Sequence, residues 1–283
     1  MTVAGWLDKG IKHLESKGVA EARANAEFIL AHVLKISRGS LALQLPRSVS
    51  EKIGNHFWNL VHERGRRIPL AYVLGTQPFY GLELAVGPQA LIPRPETEEV
   101  VSAAIRLLEG RRHETLHVVE IGTGTGCVAI ALAAQLPNAI IYATEISPAA
   151  LQLAERNALA TGKIRQLRFV REDLFKTGAA PKGWADLVIS NPPYIPSREV
   201  DRLEPEVLKE PRLALDGGPD GLSAIRALVA QAPLLLKPGG WLVLEIGHDQ
   251  GSAVVKLLES QGLAMVNVMK DLQALDRIAV ARR

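Results

Sequence analysis

The chain has 283 residues, 47% hydrophobic and 22% charged; 33 lysines and arginines nearly balance 30 aspartates and glutamates, for a formal net charge of +3. That length accommodates a full α/β domain with a smaller companion, and the mild charge lacks the broad basic footprint of a phosphate-tracking protein. A single cysteine, Cys127, excludes an internal disulfide and a cysteine-rich zinc site. No apolar run approaches the roughly 20 residues of a spanning helix. The N-terminus lacks the basic-then-apolar pattern of a signal peptide. The expectation is a soluble, cytoplasmic protein without a metal site or membrane contact.

Residues 1–74 read as helical. Trp6, Leu7, Ile11 and Leu14 recur at helical spacing, as do Ala26, Phe28, Ile29, Ala31, Val33 and Leu34, then Ile53, Phe57, Trp58, Leu60 and Val61. Gly18, Gly39-Ser40 and Pro46 punctuate these segments, which form the expected core of a small bundle. The basic run Arg64-Gly65-Arg66-Arg67 is read as favourable contact with a helix dipole in preference to phosphate binding. Residues 75–95 change character. Phe79 to Gly87 alternates about a central Gly81 and predicts a β-hairpin, followed by the stiff connector Leu91-Ile92-Pro93-Arg94-Pro95. Spacing leaves Arg94 either a surface charge or a group reaching into a site.

From residue 117, within a domain spanning 96–283, strands alternate with helices, the mark of a mostly parallel sheet. Strands are predicted at 117–121, 140–144, 167–170, 186–189, 241–246, 264–270 and 277–281. Seven strands with the last two adjacent in sequence predict one antiparallel edge strand.

In an open sheet of this kind ligands bind beyond the carboxyl ends of the strands. Gly122-Thr123-Gly124-Thr125-Gly126 follows the first strand and lets backbone approach a ligand at a helix N-terminus. Its spacing puts Cys127 where a dinucleotide fold has its third glycine, which demotes NAD. Glu145, about 20 residues on, is positioned to grip two ribose hydroxyls, or is a solvent-facing charge before a helix. Asp173 ends the third strand and could accept from an adenine amino group. With Glu120 beside the glycine loop, the ligand implied is an adenosine carrying positive charge, which S-adenosylmethionine fits.

The fourth strand runs into Ser190-Asn191-Pro192-Pro193-Tyr194-Ile195. Neither proline has an N–H to donate, and each pushes its predecessor out of the helical region. The carbonyls of Asn191 and Pro192 are therefore expected to stay unpaired at the tip, beside the Asn191 side-chain oxygen and the flat face of Tyr194. That set suits a planar –NH2 group. A rigid turn or a proline-rich ligand fits the tetrapeptide alone equally well.

Together, residues 119–126, 145–157, Asp173-Leu174-Phe175 and Asn191-Pro192-Pro193-Tyr194 resemble a class I methyltransferase. Residues 91–98, 213–218 and 67–75 narrow the likeness to the PrmC/HemK family, the glutamine N5-methyltransferases of peptide chain release factors, over nearly the whole chain. The resemblance implies an α/β fold: a seven-stranded Rossmann-like sheet, an N-terminal helical bundle that docks the partner, and a hairpin connector. It implies S-adenosyl-L-methionine as cofactor and S-adenosyl-L-homocysteine as product, bound by Glu120, Gly122, Thr123, Gly124, Thr125, Gly126, Glu145, Ile146, Asp173, Leu174 and Asn191. Glu120 and Glu145 stand where the family more often has Asp, and Leu174 where some members have Trp.

The implied acceptor is the glutamine of the Gly-Gly-Gln loop of class-1 release factors, met by a monomer that binds no nucleic acid directly. Asn191, Pro192, Pro193, Tyr194 and Arg94 would contact it, and Asn191, Pro192 and Tyr194 would carry catalysis. Asn191 Oδ1 and the Pro192 carbonyl would accept both amide hydrogens while Tyr194 packs on the amide plane, without a general base. Two other acceptors present the same chemistry: a ribosomal-protein glutamine, and adenine N6 or guanine N2 of a flipped base. A non-enzymatic adenosine-binding module is a third reading.

Overall fold

The computed structural model describes residues 1–173 and 181–283, so the expected cofactor contact at Leu174 lies outside the described residues. The chain forms two compact units, the first comprising Met1–Thr76 with Glu204–Lys209 and the second Gln77–Leu203 with Glu210–Arg283.

The first unit is built from α1 (Val3–Ser16), α2 (Ala22–Leu34), α3 (Glu51–Gly65) and the short α4 (Leu70–Leu74). The Thr2 and Ser50 hydroxyls cap α1 and α3 by accepting otherwise orphaned backbone N–H groups. Most of the periodic apolar residues converge, and Leu14, Ile29, Leu30 and Phe57 are fully buried, but Phe28 is 41% exposed and lies outside the core, on the outer face of α2. Residues 204–209 were expected in the catalytic domain, and electrostatics explains why they join the bundle instead. Glu206 receives Arg64 Nη1 at 2.7 Å and two nitrogens of Arg67 at 2.6 Å each. Arg64, itself buried, also donates to Asn25 Oδ1 at 2.7 Å. Burial alone would raise the Glu206 carboxyl, but the bonds from Arg67 and Arg64 outweigh it and bring it down to about 2. Two arginines of the basic run thus answer a distant carboxylate rather than a helix dipole.

The second unit opens with the hairpin β1 (Thr76–Phe79) and β2 (Leu82–Ala85), whose turn residues Tyr80 and Gly81 both have positive φ, 50° and 76°. After α5 (Pro95–Leu108) come β3 (His117–Ile121), α6 (Cys127–Gln135), β4 (Ile140–Glu145), α7 (Pro148–Ala160), β5 (Leu167–Arg171) and β6 (Ala185–Ser190). Then follow α8 (Ser197–Val200), α9 (Ser223–Leu235), β7 (Leu236–Glu245), α10 (Gly251–Ser260), β8 (Ala264–Lys270) and β9 (Asp276–Arg282). Among the described residues they form a seven-stranded sheet in the order β5-β4-β3-β6-β7-β9-β8. Its two faces carry separate apolar clusters, and β6 is buried along its whole length, as a central parallel strand should be.

The antiparallel strand is β9, and it does not lie at the edge: it sits between β7 and β8. The short turn after β8 forces the two to pair, and burial decides which goes inside. Ile278, Ala279, Val280 and Ala281 of β9 are all buried, whereas β8 exposes Ala264, Met265, Asn267 and Lys270 fully or in part.

β3 pairs with both β4 and β6. The strand order reverses between β3 and β6, so the loops leaving their carboxyl ends part and open a crevice. Among the described residues no helix is long and apolar enough to cross a membrane, and no cluster of His, Cys, Asp and Glu could hold a metal ion.

Candidate active site

A cavity of about 380 Å³ occupies that crevice, within the range that takes small ligands. Its wall combines Glu120 within β3 and Gly122 to Thr125 after it, Glu145 at the end of β4 and Ile146 beyond, Asp173 after β5, and Asn191, Pro192 and Pro193 after β6. The connector residues 89–94, Arg94 included, close one side. Among the described residues, two expected contacts are not in the wall. Gly126 lies beneath it, with φ +82°, where a Cβ would meet Ala154 Cβ at 3.1 Å. Tyr194 is treated below.

Glu120 is buried at 3% exposure, and its Oε2 accepts from the Thr123 hydroxyl at 2.5 Å and the Ala129 N–H at 3.2 Å. It therefore ties the glycine loop to the start of α6. Burial pushes its carboxyl up to about 7, against those two bonds and with the Glu145 charge adding to the rise. Glu145 accepts from the Gly124 N–H at 3.0 Å and the Ser147 N–H at 2.9 Å, which aims it along the cavity floor. Positive φ at Gly122 (76°) and Gly124 (55°) lets the backbone turn tightly beneath a ligand.

Asn157 is a residue whose role sequence reasoning missed. Its Oδ1 accepts from the Ala85 N–H at 2.9 Å, while Nδ2 donates to the carbonyls of Ala85 at 3.0 Å and Thr125 at 2.9 Å. It pins β2 to the glycine loop. The available signal is an asparagine on the helix face of Ala150, Leu153, Ala154 and Ala158, all of them buried.

The charges on the wall indicate the ligand. Among the described residues, the wall has Glu120, Glu145, Glu172, Asp173 and Asp216 against one cation, Arg94, which is ion-paired with the buried Glu210. Glu210 also accepts from the Ile92 N–H at 2.9 Å, so it braces the connector from within. Such a wall repels phosphates and favours a cation, and a sulfonium nucleoside fits it. Cys127 lines the cavity as well, with its thiol pushed up to about 12 by burial and the Glu120 charge, which leaves it an unreactive apolar residue.

The Asn-Pro-Pro-Tyr tip is held from behind. The Ile195 N–H donates to Leu215 at 3.0 Å, Gly217 donates to Ile195 at 2.8 Å, and the Gln250 amide donates to the Tyr194 carbonyl at 2.9 Å. Among the described residues, nothing donates to the carbonyls of Asn191 and Pro192. Asn191 Nδ2 donates to Thr97 Oγ1 at 3.0 Å, and Thr97 Oγ1 donates to Glu245 Oε2 at 2.7 Å. Tyr194, expected to pack on the acceptor amide, lies outside the wall. It packs against the apolar cluster of β7 and α9, and its hydroxyl donates to Glu245 Oε1 at 3.2 Å. A phenol this buried needs a polar partner, and Glu245 supplies it. Burial and then the Glu245 charge push its pKa well above the usual value.

A doubly wound sheet with this strand order, carrying a carboxylate-walled nucleoside pocket at its switch point, defines a class I S-adenosylmethionine-dependent methyltransferase. The fold is shared with the catalytic domain of hMettl16 in complex with MAT2A 3'UTR hairpin 6, at a TM-score of 0.57 and 17% identity over 71% of this chain and 76% of that one. Residues 5–75 match the PrmC N-terminal domain and residues 102–218 the methyltransferase small domain. A release factor glutamine methyltransferase of Rhodospirillum rubrum is 40% identical over 98% of this chain and 84% of its own length. One of Cereibacter sphaeroides is 41% identical over 100% and 99%. The chain belongs to the release factor glutamine methyltransferase family, whose cofactor is S-adenosylmethionine.

Proposed function

We propose that this chain methylates the side-chain amide nitrogen of the glutamine in the Gly-Gly-Gln motif of class-1 peptide chain release factors. The observation that carries the reading is a pair of acceptors on one rigid tip: the Asn191 side chain, tethered through Nδ2, and the Pro192 carbonyl. Both belong to residues of the carboxylate-lined cavity. When bound, S-adenosylmethionine would supply an electrophilic methyl for the amide nitrogen, with the sulfur as leaving group and one amide proton passing to water. The glycine loop and Glu145 would hold the ribose, and Glu120, Glu145 and Asp173 would offset the positive charge. Asn191 Oδ1 and the Pro192 carbonyl accept the two amide hydrogens, aim the nitrogen for in-line attack and favour the charge that develops on it. The acidic wall argues against a nucleic-acid acceptor.

The test offers radiolabelled cofactor with release factor, ribosomal proteins, rRNA and DNA side by side. Label on release factor alone is expected, and Asn191→Ala should reduce its rate by at least about a hundredfold with cofactor affinity nearly unchanged. Normal turnover in that variant, or label on another acceptor, overturns the reading.

A further inference from the structure

A clamp for –NH2 works only if Asn191 presents its oxygen to the cavity. Reversed, the Asn191 amide would meet donors with donors. What decides its orientation lies behind it. A hydroxyl carries one hydrogen. Thr97 gives its hydrogen to Glu245 Oε2 at 2.7 Å, so toward Asn191 it can only accept. Asn191 must therefore turn its Nδ2 inward, at 3.0 Å from Thr97 Oγ1, which leaves Oδ1 for the cavity. The Tyr194 hydroxyl donates to the other oxygen of Glu245, so both carboxylate oxygens serve as acceptors. Glu245 is 1% exposed.

We propose that Thr97 and Glu245 form a positioning relay that fixes which end of the Asn191 amide faces the acceptor. The relay's geometry stands on its own; its role in transfer rests on the function proposed above. Glu245 sets the direction of every bond in the chain because, ionised, it can only accept. Burial pushes its carboxyl up to about 7, against the Thr97 bond, the Arg277 charge and the Tyr194 bond, with Glu96 adding a like charge. Those groups, with the neutral Cys127 thiol and with Asp271 holding Arg277 at 3.2 Å, are the polar surroundings of the carboxylate. Once protonated, Glu245 can donate to Thr97, whose own hydrogen then turns to Asn191, and the amide reverses. The clamp is present above a pH of about 7 and is lost as pH falls through it.

The full chain labelled with ¹⁵N-asparagine shows the Asn191 side-chain resonance directly, assigned by its absence from Asn191→Ala. In the wild type it should move with a midpoint near neutrality. It should stand still in Glu245→Gln and Thr97→Val, and titrate again in Thr97→Ser. In parallel, kcat on intact release factor at saturating cofactor should follow the same midpoint and fall at least about tenfold in Thr97→Val, with cofactor Kd within about twofold. Glu120 titrates in the same range, but its signature is cofactor affinity, not the Asn191 resonance. A Thr97→Val protein whose resonance titrates as in the wild type overturns the relay whatever the acceptor. So does one whose kcat stays within about twofold. A wild-type enzyme that leaves release factor unlabelled would instead sink the proposed acceptor, and the resonance would still decide the relay.

Discussion

Replacing Glu206 with glutamine removes the charge that Arg64 and Arg67 share, and the structure sets the size of the loss. The carboxyl ionises near its ordinary value of 4.5 when unfolded and at about 2 when folded. At about 1.36 kcal/mol for each tenfold change in proton affinity, ionised Glu206 contributes roughly 3 kcal/mol. Its side chain is 14% exposed and that of Arg64 7%, so solvent screening takes little from the figure. The folded value is depressed, so the contribution is complete above the unfolded pKa and disappears as pH falls through the folded one. Hydrogen exchange of the amides in α3, compared between wild type and Glu206→Gln at each pH, isolates the first unit from the second. The variant should open roughly 300-fold more often at neutral pH, and at pH 3 the gap should shrink to roughly tenfold. A gap that stays constant between those two pH values would show that the arginines are held by something other than this charge.

Two further predictions concern the architecture around the cavity. Gly217→Ala has nowhere to put its methyl, which would stand 2.6 Å from the Gly221 carbonyl oxygen and 2.8 Å from both the Pro193 oxygen and Tyr194 Cα. All three are backbone atoms, so the tip must shift; turnover at saturating cofactor should drop at least about tenfold, and unchanged turnover would show that the tip is not held from this side. Asn157→Leu strands the buried groups it now satisfies, which should lower stability by about 1–3 kcal/mol and weaken cofactor binding through the released glycine loop. Calorimetry measures the latter, and wild-type affinity in a destabilised variant would separate the hairpin's anchor from the pocket's shape.

The parts of the site that follow chain direction were legible. The glycine loop, Glu145, Asp173 and the Asn-Pro-Pro run each end a strand, and parallel strands deliver their carboxyl ends to one rim whatever their order. Partners chosen in three dimensions were not legible. Nothing near Glu206 in sequence announces Arg64 or Arg67, and nothing in the Asn-Pro-Pro-Tyr run tells which way the phenol turns. Glu245 did leave a trace, a carboxylate closing the apolar run Trp241-Leu242-Val243-Leu244, but its meaning depends on Thr97 and Tyr194 arriving from elsewhere. The inversion of β8 and β9 has a similar origin: a hairpin's connectivity is indifferent to which strand lies inside, and composition does not separate them, yet it is the Ile278 to Ala281 run of β9 that is buried.

The stiffness of the Asn191–Pro192 pair also limits how often one glutamine can be modified. An unmodified amide offers two hydrogens to two immobile oxygens; its methylated product has one hydrogen left and a carbon where the other stood. A support braced by Leu215, Gly217 and Gln250 cannot slide to follow. On the clamp proposed above, the finished side chain would leave one oxygen bare and collide with it, so the same rigidity that aims the first transfer would disfavour a second.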